Sequence, residues 1–179
     1  MSHPRLLSAA IVLAVLTAGG CVKDKTAGPP PQELTSDAVA VFCGMTVIDH
    51  PGPKGQVFLK SSTSPLWFSS VRDVIAYTLL PEEPKDIAAI YVNDMGRANW
   101  DHPEPKTWID ARTAFYVIES SRMSGMAAAE AVPFADRAAA NAFAEQYGGR
   151  VVALADVPAS YVLGDGDASS RQQAEGAKP

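Results

Sequence analysis

The chain predicts an α+β protein: two similar β-β-α-β units packed into one compact domain. Three observations predict it. Residues 37–163 alternate short β-type runs with two segments of helical periodicity. Each helical segment begins just after a phenylalanine, Phe68 or Phe134, and each is followed by a short apolar run. The stretch holds 127 residues, room for one hydrophobic core.

In the first unit (about 37–97), Gln56 to Lys60 and Pro65 to Phe68 read as two short strands, with Ser61 to Ser64 supplying the turn. Val71, Val74, Ile75, Thr78 and Leu79 then fall on one face of a helix. Ser70 to Asp73 has the form of a capping box, and Pro81 sits just past the end. Ile87 to Val92 is a buried strand. In the second unit (about 106–163), Thr107 to Ala111 and Ala114 to Ile118 are the strand pair. Asp136 caps a helix carrying Ala139, Ala142, Phe143 and Tyr147, which Gly148 and Gly149 stop. Val151 to Leu154 closes the unit.

The flanks speak of export. Arg5, the apolar run Leu6 to Leu16 and the small residues Ala18, Gly19 and Gly20 form a signal peptide over residues 1–20. That run is too short for a membrane span, which takes about 20 residues. A small-small-Cys ending resembles a bacterial lipobox, so Cys21 is expected to become a lipidated N-terminus that anchors the protein to a membrane. Val22 after it, with no aspartate, hints at the outer membrane. Residues 21–36 contain Gly28 followed by Pro29, Pro30 and Pro31, and read as a stiff tether. Residues 164–179 are small and polar and are expected to be disordered. Removing residues 1–20 takes away one positive charge, Arg5, and no acid, so the net charge goes from −5 to −6. No basic patch is visible, and nucleic acid is a poor partner.

Lipidation consumes Cys21 and leaves Cys43 as the free thiol of an exported chain. It lies in Cys43-Gly44-Met45, and a second methionine group, Met123 to Met126, follows some eighty residues later. Thiolate and thioether are soft donors and select soft metals, Cu(I) above all. In extended backbone Cys43 and Met45 face the same side, and Gly44 leaves room for an ion to approach. Met126 would arrive from the second unit as a third donor. Met123 and His50 are further candidate ligands, although Met123 also suits gap-filling beneath a loop.

Other readings compete. Cys43 and Met45 could be an ordinary buried thiol and core methionine. A blue-copper centre would need both His50 and His102, without the usual tight spacing to a cysteine. Structural zinc wants four donors at short spacing, and they are absent. His102 and Met95 read as loop or packing residues, and Asp110 as one that fixes a turn. A thiol-dependent enzyme would need a base beside Cys43, and nothing in the pattern places one there. A docking module without metal needs neither sulfur group. From the residues alone these readings stay open, and only a family resemblance tips the balance to a non-enzymatic carrier.

Several segments then carry a family resemblance: the lipobox at Cys21, Cys43-Gly44-Met45, Ile109 to Arg112, Ala114 to Val117, and Ser124-Gly125-Met126 followed by Val132-Pro133-Phe134. In this order, over roughly Val41 to Leu154, they resemble NosL, the nitrous oxide reductase accessory lipoproteins. The resemblance implies two β-β-α-β units related to the organomercurial lyase-like fold. It further implies Cu(I) as cargo, a lipid anchor at the periplasmic face of a membrane, and two partners: apo-nitrous oxide reductase and the NosDFY transporter-type complex. There are two departures. Many members carry a cysteine three residues before the Cys-Gly-Met run, where this chain has Ala40. The usual Gly-Pro-Met-Gly is here Ser124-Gly125-Met126-Ala127.

Overall fold

Strand alternation sorts the first sheet into two unlike faces. Val57 of β1 (Gly55–Leu59) stands opposite Ile90 of β3 (Ile87–Asn93), and both point into the main core. Gln56 and Phe58 alternate with Val57 and so face the other way, yet both are fully buried. The computed structural model describes residues 28–103 and 105–164. Within them, β2 (Leu66–Phe68) pairs with β1, and β4 (Trp108–Asp110) extends the sheet beyond β3, giving the order β2-β1-β3-β4, all antiparallel.

Helix α1 (Val71–Leu79) covers the core face of this sheet. Ser70 caps it by accepting from the Asp73 N–H at 3.1 Å, as the sequence predicts, and Val71, Val74 and Ile75 are buried on one side. The second sheet repeats the plan at smaller scale. β5 (Phe115–Ile118) lies between β6 (Val132–Phe134) and β7 (Arg150–Ala153), in the order β6-β5-β7. Helix α2 (Arg137–Tyr147) is capped by Asp136, whose Oδ1 accepts from Ala138 and Ala139. Leaving β4 aside, both halves read β-β-α-β with the first strand central. A short helix α3 (Ala159–Leu163), which the sequence reading did not contain, packs beside α1; Arg72 Nε donates to Val162 O.

Two expectations are corrected. Residues 107–111 were expected to open the second unit, but β4 pairs with the open edge of β3, with Val92 opposite Ile109. The second unit instead takes β6 as its second strand. Pairing partners of a three-residue strand are a non-local choice, and the local pattern does not carry it. The expected tether is also different: residues 28–35 form a strap across the Gln56 face. Gln32 N–H donates to Gln56 Oε1 and Gln56 Nε2 donates to Gln32 O, both at 2.9 Å, so the buried amide is satisfied as a strand neighbour would satisfy it. Tyr91 Oη donates to Pro29 O, and Glu33 accepts from Lys106 N–H. Residues 1–27 and 165–179, which carry the expected signal peptide, lipidation site and most of the tail, lie outside the described residues.

Candidate metal centre

The strap leads into a tight hairpin. Val39 bridges Thr46, Ala40 N–H donates to Met45 O and Gly44 N–H to Ala40 O, both at 2.9 Å, and Val41 N–H donates to Trp67 O. Ala38, Ala40 and Val47 form its buried underside, with Leu34, Cys43 and Trp67 packed against them. Gly44 has φ +67°, and a Cβ there would meet nothing within 4 Å. The expectation of an extended Cys43-Gly44-Met45 run is therefore corrected. The segment is a turn, and the glycine is needed for its left-handed backbone rather than to clear space for an ion.

The turn leaves Cys43 half-buried and Met45 42% exposed. Cys43 Sγ lies 3.8 Å from Ser69 Oγ, and Ser69 stands just before the cap of α1. A thiolate at this position would have a hydroxyl able to donate to it. Among the described residues no histidine or carboxylate hydrogen-bonds the thiol. Ser69 itself was not singled out from the sequence, where serines at a helix start are ordinary capping signals.

The second sulfur group sits on a closed loop between β5 and β6. Met123 bridges Ala129, and Ser124, itself buried, accepts at Oγ from the N–H groups of Met126 and Ala128. Met123 and Met126 are each 47% exposed. Gly125 presses on the segment that follows the hairpin: a Cβ there would lie 2.7 Å from His50 Cβ and 3.0 Å from Pro51 Cδ. The methionine loop therefore touches His50 and Pro51, five and six residues beyond Met45 on the segment that leaves the hairpin. His50 Nε2 is buried with no hydrogen-bond partner among the described residues.

Beneath the contact lies a pair of ionisable groups that the sequence reading missed. Lys54 Nζ is buried and donates to Gly52 O at 2.6 Å and Ser69 O at 3.4 Å. Glu130 is fully buried; its Oε1 accepts from the Arg72 and Ala131 N–H groups, while Oε2 has no hydrogen-bond partner among the described residues. Burial pushes Glu130 up to about 8, against those two hydrogen bonds and the Lys54 charge. Burial likewise brings Lys54 down to about 8, opposed by Glu130. The lone carboxylate in the apolar run Ala127 to Phe134 was the signal that could have flagged it.

The remaining candidates have structural roles or none at this site. Asp110 Oδ1 accepts from the Arg112 N–H and fixes a turn. Met95 packs in the smaller core with Phe134 and Trp100, and His102 is exposed in the linking loop. Among the described residues no three His, Cys, Asp or Glu side chains gather as a metal site. What the two loops present is one thiol, three exposed thioethers and one unpartnered imidazole nitrogen. That donor set suits a soft, low-coordinate ion and not a hard one.

The fold and these loops define a class: a small α+β protein of paired β-β-α-β units that displays sulfur side chains on two loops, one of them packed against the segment that follows the other. The chain belongs to the NosL family, whose family model matches residues 31–162. It is 45% identical over 173 residues to the copper-binding lipoprotein NosL of Achromobacter cycloclastes, covering 96% of this chain and 89% of that protein. It is 37% identical over 115 residues to the copper-binding lipoprotein NosL of Stutzerimonas stutzeri, covering 64% of this chain and 59% of that one. The crystal structure of the copper chaperone NosL from Shewanella denitrificans superposes with a TM-score of 0.68 at 34% identity, over 72% of this chain and 97% of that one.

Proposed function

We propose that this protein is a lipid-anchored periplasmic carrier that binds Cu(I) as cargo and delivers it for assembly of the copper centres of nitrous oxide reductase. The observation that carries this reading is the exposure of soft side chains on two loops, with the methionine loop packed on the His50–Pro51 segment that leaves the other. Cys43 supplies a thiolate, Met45 and Met126 supply thioethers, and His50 Nε2, buried and unpartnered beside Gly125, is a fourth donor. Relatives that are named copper-binding lipoproteins and a copper chaperone support it.

The chemistry follows from the exposure. Loading displaces the Cys43 proton, so affinity rises with pH. Neutral thioethers add softness without adding charge. Because Met45 and Met126 stand open to solvent, an acceptor can add its own ligands and remove the ion by exchange. Val39, Val41, Phe42 and Ile48 are also exposed around the hairpin, an apolar rim on which an acceptor can seat. Those acceptors are apo-nitrous oxide reductase and the NosDFY transporter-type complex, with Cys21 as the lipidated anchor. The same rim favours the second reading, a docking module that transfers no metal.

X-ray absorption on the Cu(I)-loaded protein separates the two. The carrier reading expects sulfur scatterers around copper, fewer by one in Met126→Ala, with weaker binding and an unchanged fold. Equal Cu(I) affinity in Met126→Ala and wild type would remove Met126 from the site.

A further inference from the structure

Resting on the carrier reading, the geometry points to Arg122 as a positioning residue: its cation–π clamp on Trp100 seats the methionine loop on His50 and Pro51 and so sets where Met126 meets the ion.

The Arg122 guanidinium lies 4.0 Å from the centroid of Trp100 and 5.3 Å from that of Tyr147. Trp100 in turn stacks on Phe143 of α2 at 6.3 Å and 17°. Among the described residues no carboxylate lies within ion-pair distance of Arg122. Its partners are therefore aromatic faces, an arrangement suited to a guanidinium that is half-buried.

Trp100 is also bound to the other loop. Its carbonyl accepts from the Gly52 N–H at 2.6 Å, and a Cβ on Gly52 would lie 3.5 Å from its ring. Gly52 follows His50 and Pro51, the residues on which Gly125 rests. The contacts close a circuit: Arg122 to Trp100, Trp100 to Gly52, Pro51 and His50 to Gly125. Arg122 directly precedes Met123, and Gly125 directly precedes Met126. Ser121 also holds the loop, donating from N–H and Oγ to Tyr147 O, but that tie fixes only where the loop leaves β5. The tilt of the loop towards the hairpin is left to Arg122 at one point and to Gly125 at the other.

The test is a double-mutant cycle of Arg122→Ala and Met126→Ala, read by anaerobic Cu(I) competition with a chelator. Arg122→Ala should weaken binding on the order of tenfold, the worth of one partly desolvated cation–π contact. Combined with Met126→Ala it should cost little more than Met126→Ala alone, because both remove the same thioether. Arg122→Lys should recover part of the loss, and X-ray absorption of Arg122→Ala should match the sulfur count of Met126→Ala. A purely structural role would lower melting temperature without changing that count. If Arg122→Ala binds like wild type, or the two losses add, the positioning proposal is overturned while the carrier reading stands. If wild type fails to bind Cu(I), the carrier reading falls first.

Discussion

Gly44 decides whether Cys43 and Met45 are displayed at all, because its left-handed backbone closes the hairpin. With open space at its Cβ position, Gly44→Ala meets no clash and costs only the backbone strain, about 1 kcal/mol. Thermal unfolding should report that loss, and Gly44→Asn should lose less, since Asn tolerates the left-handed region. Glu130 and Lys54 give the fold a pH signature. Glu130 holds a proton in the folded chain between its ordinary 4.5 and about 8, a range where the unfolded chain has given it up. Stability therefore falls as pH rises through that window. Lys54 has lost its proton in the folded chain between about 8 and its ordinary 10.5, so stability recovers as pH rises further. Melting temperature against pH should pass through a minimum near pH 8, and Glu130→Gln should flatten the acid side of it. A flat profile in the unaltered protein would contradict this description of the pair. The candidate donors Cys43, Met45, Met123, Met126 and His50 could be nominated from the sequence because their chemistry is carried by residue type. The turn at Gly44 was not, since glycine permits either hand of backbone, and neither was Glu130, whose partners lie on distant elements.

At the scale of elements, both main helices were legible because their signals are local: a capping side chain, a one-sided apolar stripe and a stop. Asp136→Ala removes two hydrogen bonds at the start of α2 and should cost about 1 kcal/mol in a urea titration, with the candidate metal site left intact. The strands were legible as segments, yet β4 went to the wrong unit, because an edge strand is assigned by its neighbour. The strap was hidden differently. Prolines announce an extended backbone correctly, but nothing local says that the amide of Gln56 waits beneath it. A chain beginning at Ser36 leaves that buried amide without its two partners. It should lose on the order of 2 kcal/mol relative to one beginning at Gly28. Equal stability of the two would mean that the strap is no part of the folded unit. Helix α3, five residues long, is too short to display a period.

The whole molecule combines a twice-repeated scaffold with two exposed sulfur loops, the methionine loop resting at Gly125 on the His50–Pro51 segment that follows the other. The scaffold leaves Met45, Met123 and Met126 at the surface beside the exposed Val39, Val41, Phe42 and Ile48, where the proposed acceptor could reach them. Under the carrier reading that division suits transfer rather than storage. On the carrier reading Cys43 would be indispensable, since among the candidate donors it alone would bring negative charge to a cation. The most direct test is an anaerobic Cu(I) titration of a chain that starts after Cys21, against a competing chelator, beside Cys43→Ser. The account predicts tight one-to-one binding in the first and its loss in the second. Binding no tighter than the chelator's, unchanged by the substitution, would contradict it and leave a docking protein without cargo.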